Sequence, residues 1–211
     1  MQYTNQILKS IVPQLFATAC FLLATPVLAN DRGQESVADA TAAADAFVCF
    51  NGDFSFAVEA VTGWTIDHGV SRTEGVCAAT YPTSAAHNTS PFAMAEAVFF
   101  ITVTPRFREG ALMTYDEVQA AVAERMREQK GELEIRNGDP ISLAQKSVVV
   151  RKYFPDEAKA NATAKSWDSF AFVEEKSHVV SIVLSARSRA AHDAAYQSFR
   201  NFVRTYRGLS R

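Results

Sequence analysis

Residues 95–104 read Ala-Glu-Ala-Val-Phe-Phe-Ile-Thr-Val-Thr, and Pro105 follows at once. Ala97, Phe99, Ile101 and Val103 fall on one face of an extended chain, while Val98 and Phe100 fall on the other. A strand that is apolar on both sides must be covered on both sides, so this one is expected to lie centrally in a sheet. Its proline cannot continue a ladder and ends it.

Working outward, the neighbouring segments read mostly as further strands. Phe47 to Phe50, the turn signal Asn51-Gly52-Asp53 and the alternating Phe54, Phe56 and Val58 predict a hairpin. Gly63 to Ile66 and Val76 to Tyr81 are short strands, and Thr83 to Pro91 reads as loop. After the central strand, Thr114 to Glu117 forms a capping box that opens a helix. Its inward face is Val118, Ala121, Val122 and Met126, and Gly131 is placed to close it in a left-handed cap.

Four more strands follow, at Leu133 to Ile135, Ser147 to Phe154, Trp167 to Val173 and His178 to Ser185, with Glu174 to Ser177 as a tight polar link. A closing helix runs from Arg189, capped by Ser188, to Tyr206, with Ala195, Phe199, Phe202, Val203 and Tyr206 inward. Strands, helix, strands, helix in that order imply an α+β fold: one antiparallel β-sheet flanked by helices on its faces, an α/β/α sandwich.

The beginning of the chain has a different character. Residues 1–29 carry one cation, Lys9, then an apolar run through Phe16, Phe21, Leu22 and Leu23, and end Val27-Leu28-Ala29. This is the pattern of a cleavable signal peptide cut after Ala29, which sends the remainder to the periplasm or out of the cell. An uncleaved anchor is the alternative, although Pro13, Gln14, Thr18 and Thr25 interrupt the run; acylation at Cys20 is another. Residues 30–46 are Ala, Asp, Gln, Glu and Ser in the main and read as a flexible leader, leaving residues 47–211 as a single domain.

With 21 basic and 23 acidic residues the formal charge is −2, and loss of Lys9 makes it one unit more negative. That balance points away from nucleic acid. Cys49 and Cys77 survive processing, and in an oxidising compartment the pair reads as a disulfide, with two buried thiols as the alternative.

Several phrases together resemble the PsbP-like family: Gly52 to Phe56, Gly63-Trp64, Tyr81-Pro82, Val98 to Pro105, the capped helix from Thr114, and Val183 to Arg187 with Phe199, Phe202, Val203 and Tyr206. In place of the proline that usually precedes Gly-Trp in that family stand Val61 and Thr62. The resemblance implies an antiparallel sheet between helices and binding or assembly roles without enzyme activity.

The chemistry-bearing residues are sparse. His68, His87, His178 and His192 have no partner at metal-ligand spacing, so no metal and no cofactor is expected. His192 and Asp193 are adjacent, and adjacent side chains on a helix diverge. No Gly-x-Ser-x-Gly phrase marks a nucleophile, and no glycine-rich loop cradles phosphate. No catalytic residue is assigned.

Arg200, Arg204, Arg207 and Arg211 fall on one line of the last helix and form a ridge suited to an anionic partner. Tyr81, Phe92 and Phe107 stand near the loops Thr83 to Phe92 and Arg106 to Met113, where partner or pocket contacts are expected. The sequence therefore leads to an exported non-enzymatic binding, adaptor or assembly protein with a protein partner in the cell envelope. The alternatives are an enzyme built around His68 and His87, or a protein that meets an anionic membrane surface through the arginine ridge.

Overall fold

Strand pairing joins segments far apart in the chain, and the sheet order follows from which of them are apolar on both faces. The computed structural model describes residues 46–51, 54–67, 76–87, 91–108, 110–144, 146–156 and 166–209. The signal peptide, the leader up to residue 45, His68 and Arg211 lie outside the described residues.

The strands are β1 (Ala46–Asn51), β2 (Phe54–Glu59), β3 (Trp64–Asp67), β4 (Val76–Pro82), β5 (Ala97–Pro105), β6 (Phe107–Arg108), β7 (Ala111–Leu112), β8 (Leu133–Ser142), β9 (Ser147–Pro155), β10 (Trp167–Glu174), β11 (His178–Ala186) and β12 (Arg207–Leu209). The helices are α1 (Pro91–Met94), α2 (Tyr115–Lys130) and α3 (Arg189–Arg204). The protein is thus mainly antiparallel β with two long helices.

A seven-stranded sheet runs β3-β4-β5-β11-β10-β9-β8. The strand expected at its centre, β5, is interior but one place from the middle, which β11 occupies. Residues 179–184 of β11 are all buried, the pattern of a strand covered on both faces.

Alternation along the strands divides the core in two. Phe99, Ile101, Ala171, Val173, Val180, Ile182 and Leu184 cluster with Ala195, Phe199, Phe202 and Val203 of α3. Phe170, Phe172, Val179, Val183 and Tyr153 cluster instead with Val118 and Met126 of α2. Burying each large side chain is worth about 1.5 to 3 kcal/mol, so these two clusters carry the fold.

The single sheet read from the sequence is corrected to three. The β1–β2 hairpin, in register from Ala46 opposite Glu59 to Asn51 opposite Phe54, does not extend the main sheet. It forms a three-stranded sheet with β12 and sends Phe56 and Val58 into the cluster shared with α3. The reason lies after α3, which ends at Arg204 rather than at Tyr206. Thr205 donates from Oγ1 to Phe202 O at 2.8 Å and accepts from Glu59 N at 3.0 Å, turning the chain back along β2. Cys49 of β1 is bonded to Cys77 of β4, with Cα atoms 6.0 Å apart and 28 residues between them in sequence, and so ties the two sheets together.

The helix signals translate directly. Glu117 N donates to Thr114 Oγ1 at 3.2 Å, and Thr114 N donates to Glu117 Oε2 at 2.7 Å. The bonds that the Glu117 carboxylate accepts from Thr114 N and, at 3.0 Å, from Thr114 Oγ1 hold it below its ordinary range. Gly131 closes α2 with φ 81°, but ψ −139° is not the left-handed helical value expected of it. Val118 and Met126 are buried as expected, Ala121 and Val122 only half so, and Gln119 and Lys130 are buried as well.

Candidate functional site

Beyond Pro105 the chain makes a small hairpin in the loop expected to bind. Phe107 pairs with Leu112 and Arg108 with Ala111, and Gly110, at φ 83°, supplies the turn between β6 and β7. Residues directly opposite on an antiparallel ladder share a face. Phe107 is 65% exposed and Leu112 is 58% exposed.

The foot of this hairpin is braced. Arg106 N donates to Ser177 O at 2.8 Å, and Met113 N donates to Arg106 O at 2.7 Å. The Arg106 guanidinium donates from Nε to Met113 O at 3.0 Å, and from Nη1 to Glu174 Oε1 at 2.9 Å and Glu175 O at 3.3 Å. Glu175 is a second hub, accepting at Oε1 from Lys146 Nζ at 2.7 Å and from Tyr206 Oη at 2.9 Å. Burial and then the Glu175 carboxylate push the Tyr206 phenol well above its ordinary range. The foot of the hairpin is therefore anchored, with Phe107 and Leu112 exposed above it.

Two polar constellations lie elsewhere, each with a buried pair at its centre. His192 of α3, without solvent exposure, has Nε2 2.8 Å from Ser169 Oγ of β10 and Nδ1 3.1 Å from Asp193 Oδ1. Although adjacent side chains on a helix diverge at Cβ, the Asp193 carboxylate reaches the neighbouring ring nitrogen. The row serine, histidine, aspartate has hydrolase-like spacing, yet Ser169 is also without exposure. Phe154 packs edge-on against the imidazole at 4.9 Å. His192 and Ser169 satisfy each other inside the core, while Asp193 is 64% exposed.

The second constellation joins Lys130 to β10. Its Nζ contacts Ser166 Oγ and Asp168 Oδ2 and donates to Ser166 O at 3.2 Å, while Ser166 Oγ donates to Asp168 Oδ2 at 3.0 Å. Burial pushes the Lys130 ammonium down to about 7, and the carboxylate beside it acts in the opposite direction. Lys130 and Asp168 are 8% and 3% exposed, which makes them an interior pair.

The chain is similar in fold to cyanobacterial PsbP. The solution structure of cyanobacterial PsbP (CyanoP) from Synechocystis sp. PCC 6803 matches with a TM-score of 0.46 at 9% identity, over 82% of this chain and 98% of that one. No family model and no curated protein matches the sequence.

The other residues singled out in the sequence do not gather round the hairpin. Tyr81 is half-buried and packs against Ala85, Ala95 and Val98, beside the start of β5, whereas Phe107 lies past its end. The Phe92 side chain lies outside the described residues. The arginine ridge is corrected: α3 stops at Arg204, so Arg207 lies on β12, where Nη2 meets Glu59 Oε1 at 3.0 Å. Arg200 donates to Asp139 O at 2.9 Å and Pro140 O at 3.3 Å, and Arg204 donates to Asn201 Oδ1 at 2.8 Å. Of the histidines, His87 is exposed. His178 is half-buried, has Nδ1 2.8 Å from Ser177 Oγ and stacks on Phe54 at 5.3 Å. Among the described residues no group of three His, Cys, Asp or Glu is placed to hold a metal, and no helix is long and apolar enough to cross a membrane.

The brace residue Arg106 was missed in the sequence. Arg106 follows the proline that ends the central strand, but its partners Glu174 and Glu175 are nearly 70 positions away.

Proposed function

We propose that this is an exported, non-enzymatic binding or assembly module of the cell envelope that docks a protein partner through the β6–β7 hairpin. The observation that carries the reading is the pair Phe107 and Leu112, both exposed, on a projection braced by Arg106. Isolated apolar side chains on a surface are ordinary; two held side by side on a fastened hairpin favour use as an anchor. The burial of Ser169 with His192 and of Lys130 with Asp168 weighs against catalysis there. The signal-like first 29 residues and the Cys49–Cys77 bond support export. In this reading the domain is a sandwich, with α2 and α3 covering opposite faces of the main sheet and the hairpin projecting from one end of it.

The test is site-specific photocrosslinking in the cell envelope, with p-benzoylphenylalanine at position 107, at 112 and, as a control, at the exposed Gln197. One protein crosslinked from 107 and 112 but not from 197, and released when Arg106→Ala loosens the brace, is the expected result. Identical products from all three positions, or none from a folded protein, would sink the proposal.

A further inference from the structure

Along one side of α2 the sheet face is left open to solvent. Val118 and Met126 plug into it, but between them α2 presents Ala120 and Ala123, and a groove of about 400 Å³ opens there over Ile135 and Tyr153.

An arginine also lines it. Along β9, Val148 and Val150 face the α3 cluster, so Arg151 and Tyr153 face α2. Arg151 has a single hydrogen bond among the described residues, a long one from Nε to Gln119 Oε1 at 3.4 Å. Gln119, only 8% exposed, donates its own amide to Asp116 Oδ1 at 3.4 Å. Both Nη nitrogens of Arg151 are thus without a partner among the described residues. By contrast Arg106, Arg136, Arg200 and Arg207 each engage a carboxylate or carbonyl through an Nη.

We propose that this groove binds a small organic carboxylate. The Arg151 Nη donors take the carboxylate in the forked geometry that guanidinium favours. The short apolar body lies along Ala120, Ala123 and Ile135. A single negative charge is selected over a dianion such as phosphate because Asp116, which also lines the groove, repels the second charge. This site is independent of the hairpin and stands or falls separately from it.

The experiment is a titration of the 15N-labelled protein with hexanoate, followed by amide shifts, beside hexan-1-ol and inorganic phosphate. Expected are saturable shifts centred on Ala120, Ala123, Ile135 and Arg151, with affinity at least tenfold weaker for the alcohol, for phosphate and for hexanoate on Arg151→Gln. Ala120→Phe fills the groove from an exposed helix position while leaving Arg151 in place, and should also abolish the shifts; it carries the test if Arg151→Gln fails to fold. No saturable shift, shifts that survive either substitution, or phosphate binding as well as hexanoate would overturn the proposal.

Discussion

His192 on α3 and Ser169 on β10 meet at 2.8 Å, Nε2 to Oγ, with neither residue reaching solvent. This contact pins the last helix to the main sheet by a polar bond inside an otherwise apolar interface, and it makes stability depend on pH.

Burial holds the His192 pKa below its ordinary value of 6.5, partly opposed by Asp193. As pH falls, the unfolded chain takes up the proton first, so the stability contributed by neutral His192 is present above about 6.5 and drains away below it. The urea midpoint of the wild type should drop between about pH 7.5 and pH 5 by more than that of His192→Gln. Parallel midpoints across that range would contradict the assignment. Ser169→Ala, which orphans the ring nitrogen, should cost roughly 1 to 3 kcal/mol at neutral pH.

Lys130 and Asp168 test what a buried pair contributes. Asp168→Ala strands an ammonium in the interior and should cost about 3 to 5 kcal/mol, whereas replacing both, Lys130→Met with Asp168→Leu, should cost far less. A double-mutant cycle by urea denaturation measures the coupling. Additive losses would mean that the two charges do not sense each other.

Replacing Cys49 and Cys77 by serine removes a constraint worth roughly 3.5 kcal/mol in the chain-entropy picture. The loss should be local before it is global, because Cys49 ties the small sheet to the large one. Hydrogen exchange should rise first in β1 while β10 and β11 stay protected. Uniform loss of protection would show that the small sheet has no separate opening.

Gly138, in the edge strand β8, has no room for a side chain. A Cβ there would lie 2.7 Å from Val150 Cγ1 and 2.9 Å from Tyr196 Oη. Val150 is fixed in the core, so Gly138→Ala should destabilise by about 1 to 3 kcal/mol. A thermal melt unchanged from wild type would show that the strand gives way without cost.

Local signals were read well because their physics is local. The Thr114 to Glu117 capping box, the Ser188 cap, the β1–β2 hairpin and the breaks at Pro82 and Pro105 each depend on residues within a few positions. The long edge strand β8 was read only as far as Ile135, because Gly138 and Pro140 argue against a strand and the bulge between Gly138 and Ile141 that accommodates them is set by pairing with β9. The arginine ridge failed for a similar reason: helical projection assumes that the helix continues, and Thr205, held by Glu59 from the far side of the chain, stops it.

The candidate sites divide in the same way. Phe107 stands out in sequence as an aromatic near a loop, but its exposure, its pairing with Leu112 and the brace that neighbouring Arg106 makes to Glu174 depend on where β10 ends. Gln119, Lys130, Arg151 and Asp168 carried no signal, since each looks like a surface residue until a helix or a strand covers it.

By itself the sequence determined the longer strands, the two long helices with their N-caps, and the pairing candidates Cys49 and Cys77, because caps, turns and alternation are written in neighbouring residues. Only the tertiary structure decided that the first hairpin joins the last strand in a sheet of its own, that Arg106 braces a projecting apolar pair, and that Arg151 opens into a groove. Those outcomes rest on contacts between residues tens to more than a hundred positions apart, whose meeting depends on how the whole core packs.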